Sequence, residues 1–147
     1  MIGASCWVIY FLLQGDLTST LTSLIGVIQA VIFLQREKHK WASSVFWLYF
    51  FIILQLTLGI ISFSIWHDVF AISAGVFNVI TYFVLDRRTY RAFGFVLMLS
   101  WVLNSAFKFY PIAFANDAFA FISVTVAIIR YDIIPKLKNF LLKFLLQ

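Results

Sequence analysis

The chain predicts an all-α fold, a polytopic transmembrane helical bundle of about six spans, on three observations. Hydrophobic residues make up 63% of the 147 and charged residues only 12%, too little polar surface to cover a water-soluble domain of this size. Apolar runs long enough to enter a bilayer alternate with short charged clusters. Eighteen Phe, five Trp and six Tyr suit a lipid-facing surface with aromatic belts at its interfaces.

The first span runs from Ile2 to Leu13 and stops at Gln14-Gly15-Asp16, short against the ~20 apolar residues that cross a hydrocarbon core. The second, Leu17 to Gln35, opens with Thr18, Ser19, Thr20, Thr22 and Ser23, hydroxyls that can bond backbone or a neighbouring helix. Arg36 to Lys40 is too charged to be buried and ends it. The third, Ser44 to Ser64, is the most apolar, with Gln55 as its polar interruption. After Trp66-His67-Asp68 comes the fourth, Val69 to Leu85, with Ser73, Gly75 and Asn78, residues of the kind that line helix contacts. Asp86 to Arg91 closes it. The fifth, Ala92 to Phe107, bears Ser100, Trp101, Asn104 and Ser105; the sixth, Pro111 to Ile129, bears Asn116, Asp117, Ser123 and Thr125. Pro111 suits a first helical turn, where no backbone donor is lost.

Six spans place Arg36, Lys38, Lys40, Arg87, Arg88, Arg91, Arg130, Lys136, Lys138 and Lys143 on one face, ten of the eleven basic residues, and leave Lys108 opposite. The positive-inside rule assigns that face, and both termini, to the cytoplasm. The bundle occupies residues 1–132. Residues 133–147 form a tail in which Leu137, Phe140, Leu141, Phe144 and Leu145 recur at helical spacing against Lys136, Asn139 and Lys143, the pattern of an interfacial amphipathic helix.

The net charge of +5 has no basic face or nucleic-acid motif behind it, so no nucleic-acid partner is expected. Cys6 is the one cysteine, which excludes an internal disulfide, and His39 and His67 fall on opposite faces. Neither a metal nor another cofactor is implied. The N-terminus lacks a basic leader and a small-residue cleavage pattern, and reads as a membrane segment.

Sliding the chain by 94 positions sets Cys6-Trp7-Val8-Ile9 on Ser100-Trp101-Val102-Leu103 and Arg36 on Arg130. The turns coincide, and Thr22-Ser23 falls on Asn116-Asp117. The first hairpin thus aligns with the last, a parallel repeat about an axis along the membrane normal, with Ser44 to Ser64 as the inverting linker. In a three-plus-one-plus-three scheme the counterpart of the fourth span would precede Met1. The expectation is then a longer reading frame, or six helices that suffice by pairing with another copy, a homo-oligomer.

Cys6-Trp7-Val8-Ile9 with Gly15, the Trp101-Val102-Leu103-Asn104 start and the Ile128-Ile129-Arg130-Tyr131 exit resemble the YgjV-type bacterial inner-membrane proteins over nearly the whole chain. The resemblance implies a seven-helix fold related to the SWEET and PQ-loop proteins, a bacterial inner membrane, and an acidic residue near the position of Asp117. Against that fold the expectation is that the first helix is missing from the sequence given. The chain has no Pro-Gln dipeptide either, which makes a lysosomal-type PQ-loop transporter a poor match.

Asp117 lies six residues past Pro111, ~9 Å along its helix and inside hydrocarbon. An intramembrane carboxylate marks a solute or proton pathway, here with Asn116, Asn104 and Asn78 as neutral partners; its other reading is a structural hydrogen bond or an outward pair with Lys108. Asn78 and Asn104 each read first as interhelical fasteners, since such bonds are common in bundles. Trp7 and Trp101 can stack on a ring of a bound solute or pack the core. His67-Asp68 has no nucleophile nearby, so no enzyme is expected. The leading expectation is a carrier of a small, sugar-like polar solute in contact with the lipid bilayer. The alternative is a scaffold acting through its cytoplasmic loops and tail.

Overall fold

In a computed structural model, residues 2–36 and 38–137 of the chain are described. They form six α-helices and no strand: α1 (Ile2–Leu13), α2 (Leu17–Leu34), α3 (Val45–Ser62), α4 (Asp68–Phe83), α5 (Arg87–Phe107) and α6 (Pro111–Ile128). The repeating apolar and polar positions of the tail beyond Leu137 lie outside the described residues. α2, α3 and the helix that starts at Pro111 and continues to Leu137 are long and apolar enough to cross a membrane.

Local chemistry sets the boundaries. Asp16 begins α2 by accepting from the Ser19 amide at 3.1 Å, which satisfies one of the open donors of a helix start. Ser44 does the same for α3, accepting from the Phe46 amide at 3.3 Å. The basic cluster expected as a loop is instead the first turn of α5. The helix starts at Arg87 rather than Ala92 because Asp86 accepts from the Thr89 amide at 2.7 Å and the Thr89 hydroxyl at 2.6 Å. At its far end α6 runs through a π-helical turn, Ile129–Ile133, past the expected boundary at residue 132. Pro135 has no N–H to offer the preceding turn, and the widened turn lies directly before it.

The two hairpin turns share one geometry. α1 ends at Gly15, φ 71°, with the Gly15 amide donating to the Leu12 carbonyl at 3.1 Å and the Asp16 amide to Phe11 at 3.0 Å. α5 ends at Phe109, φ 55°, with the Phe109 amide donating to Ala106 at 3.2 Å and the Tyr110 amide to Ser105 at 3.0 Å. Both are helix ends closed by a left-handed residue, and the positions differ by 94.

α2 packs against α1, α3 and α4, while α5 lies between α4 and α6. The apolar centre is Ile25 and Phe33 of α2, Phe51 of α3 and Val79 of α4, with Trp47, Leu48 and Phe83 against it. Small residues let α3 and α4 approach: at Gly59 an added Cβ would lie 2.7 Å from Ile72 Cγ1, and at Gly75 it would meet the Gln55 side chain. Large apolar side chains on α3 and α6, among them Ile53, Ile60, Phe119 and Ile122, stay exposed, as helices facing acyl chains do.

Charges tie the two ends. At the end rich in basic residues, Arg36 donates to the Phe83 carbonyl at 2.9 Å with its guanidinium over the Phe83 ring. Arg91 there holds Asp132 by two bonds of 2.8 and 2.7 Å. At the opposite end Lys108 Nζ lies 2.7 Å from both Asp16 and Asp68.

Candidate functional site

Polar groups that alternate with apolar ones on α1, α2, α4, α5 and α6 meet around a cavity of about 270 Å³. Of the six residues singled out from the sequence, five line it: Trp7, Asn78, Trp101, Asn116 and Asp117. Asn104 does not. It is fully buried and its amide donates to Ser19 Oγ at 3.2 Å, which ties α5 to α2.

Asp117 is held on α6 by the Ser105 hydroxyl of α5, which donates at 2.6 Å, and by Asn116 Nδ2 at 3.4 Å. A pair with Lys108 is not formed, because that ammonium is bound to Asp16 and Asp68. Trp7 and Trp101 each stack on Phe11, with ring centroids 5.8 and 5.7 Å from it. All three rings line the cavity.

Behind this wall runs a layer of amide bonds. Gln55 Nε2 donates to Thr22 Oγ1 at 2.8 Å, and Asn78 Nδ2 donates to Gln29 Oε1 at 3.2 Å. These position Thr22 and Asn78 on the cavity wall and join α3 to α2 and α2 to α4. Gly75 makes the first bond possible, since its missing side chain is where Gln55 crosses.

Composition pointed to the acid, the asparagines and the tryptophans, but not to Gly26, Gly75, Tyr82, Leu97, Met98 or Ala120, which also line the cavity. The 94-residue offset was the signal that could have found some of them. Trp7 and Trp101, Thr22 and Asn116, Ser23 and Asp117, and Gly26 and Ala120 are all pairs at that spacing, and every member lines the cavity.

Within His67-Asp68, the acid is enclosed by the protein. Asp68 is 2% exposed, with the Ser64 and Ile65 amides donating to its carboxylate at 2.8 and 3.0 Å and Lys108 on the other oxygen.

Fold and cavity together define a helical membrane protein with a polar, aromatic-lined chamber among its helices. Its family model is that of the Imp-YgjV bacterial inner membrane proteins, matched over residues 1–133. The chain belongs to that family. No curated protein and no solved structure matches it.

Proposed function

We propose that the protein carries a small polar solute across the bacterial inner membrane by alternating access, with the chamber around Asp117 as its binding site. The supporting observation is that five residues selected for polar or stacking chemistry, from both ends of the chain, border one cavity. Binding near the midplane, between two related halves that rock against each other, is how repeat-built carriers work. The first and last hairpins supply such halves in a SWEET-like arrangement. The basic end is cytoplasmic by the positive-inside rule. Tyr82, one residue from the end of α4 at Phe83, carries the chamber toward that side, while the Lys108 cluster fastens the other.

The test is uptake into proteoliposomes of a panel of small polar solutes, by the intact chain and by Asp117→Asn. A solute that accumulates with the native chain and at least tenfold more slowly with the folded variant supports the reading. Unchanged flux in the variant removes Asp117 from the pathway. No flux for any solute, with a partner protein that stays bound, favours the scaffold instead.

A further inference from the structure

The charges around the chamber select what it binds. Asp117 supplies a carboxylate, and among the described residues no Lys, Arg or His borders the cavity. The nearest ammonium in sequence, Lys108, is already shared between two other carboxylates at 2.7 Å. Both Asp117 oxygens accept hydrogen bonds from neutral groups, Ser105 and Asn116, so the protein offers the carboxylate dipoles but no counter-charge. An anionic solute would meet that carboxylate with nothing to balance it, at a depth where charge is weakly screened. A cation completes the site.

The rest of the wall fits an organic cation better than a bare metal ion. Trp7, Trp101, Tyr82 and Phe11 border the space, and indole faces attract ammonium groups, most strongly where water is excluded. Hard metal ions would call for several oxygen ligands converging on one point, and no group of three or more His, Cys, Asp or Glu comes together among the described residues. The volume, about 270 Å³, lies just under the roughly 300–1,000 Å³ of sites that take drug-sized molecules, which sets the scale at a small metabolite. The amide and hydroxyl groups of Asn78, Asn116, Thr22 and Ser23 remain for its polar portion.

We infer that the chamber binds a small solute bearing an ammonium group, with Asp117 as its counter-ion and the Trp7 and Trp101 rings against its alkyl surface. The inference rests on the carrier reading and narrows its substrate class from polar solutes in general, sugars included, to amines.

Two indoles at the site make binding readable by tryptophan fluorescence of the full chain in a neutral detergent. The probes are tetramethylammonium and choline chlorides, each against equal sodium chloride, with sorbitol as the neutral and acetate as the anionic comparison. Saturable quenching by the ammonium probes, at least tenfold tighter than by sorbitol and absent with acetate, is expected. Asp117→Asn should weaken it at least tenfold, Asp117→Glu should retain it, and replacing Trp7 and Trp101 by Phe should remove the signal. Helical circular dichroism of each variant separates lost binding from lost fold. Sorbitol binding as tightly as the ammonium probes, and equally well to Asp117→Asn, overturns the amine assignment and leaves the carrier standing. Saturation by none of the probes overturns the amine assignment, while the carrier reading stands or falls on the uptake panel.

Discussion

Lys108 Nζ sits 2.7 Å from the Asp16 carboxylate, across the 92 residues that separate them in sequence, with both side chains almost completely buried. The same nitrogen reaches Asp68 at 2.7 Å. One ammonium thus fastens the α1–α2 turn, the start of α4 and the end of α5. Removing one partner of a buried ion pair costs about 3–5 kcal/mol because the remaining charge is left uncompensated. Lys108→Ala, which leaves two carboxylates facing each other, is expected to lose at least that much stability in detergent unfolding. Asp16→Asn leaves one acid on one ammonium and should lose less. Equal losses for the two variants would mean that the cluster is not a shared-charge site.

Tyr110, between α5 and α6, gives this end an alkaline limit. Burial pushes its hydroxyl up to about 12, helped by the negative charge of Asp16 and the hydrogen bond to it. The folded form holds the proton more tightly than an unfolded chain, whose tyrosines ionise near 10. Its contribution to stability is therefore fully present below about 10 and disappears as pH climbs toward 12. Absorbance titration of the intact protein minus that of Tyr110→Phe should show one tyrosine ionising near 12. A difference curve centred near 10 would show that the hydroxyl is not enclosed.

Phe109 occupies the left-handed conformation that Gly15 occupies 94 residues earlier. For a side chain with a Cβ that conformation costs roughly 1–2 kcal/mol. Phe109 is 89% exposed, so little packing is lost on its removal. Phe109→Gly is expected to stabilise the protein by up to about 1 kcal/mol, with the greater chain freedom of glycine offsetting part of the relief. Gly15→Ala should do the reverse. A loss on Phe109→Gly would mean that the ring's contact with the membrane interface outweighs the backbone strain.

The helices were legible because their ends are chemical. Pro111, Gly15 and the run of charges at Arg36 each stop or start a helix by local rules, and the structure places those ends within a residue or two. Hydropathy alone puts the start of α5 at Ala92, because it counts the Arg87 to Arg91 charges against a span, whereas Asp86 and Thr89 form a cap that holds charged residues in helix as readily as apolar ones. Asp117 and the two tryptophans stood out as rare types at depth. The Asp16, Lys108 and Asp68 cluster did not. Its members are ordinary turn residues in sequence, and only the packing of three separate turns brings them together.

Asn104 and Asn78 carry the same side chain yet should behave differently when altered. Asn104 is fully buried, bonded to Ser19, and does not line the chamber. Interhelical hydrogen bonds in membranes contribute about 0.6 kcal/mol on average and up to ~1.7, so Asn104→Ala is expected to cost about 1–2 kcal/mol of stability once the lost packing is included. Solute affinity should be unchanged. Asn78 borders the chamber as well as bonding Gln29, so on the proposed carrier reading Asn78→Ala should lower affinity for the chamber's solute by at least fivefold with a similar loss of stability. Thermal unfolding and binding titration on the same samples separate the two effects. If Asn104→Ala weakened binding as much as Asn78→Ala, the two amides would belong to one site.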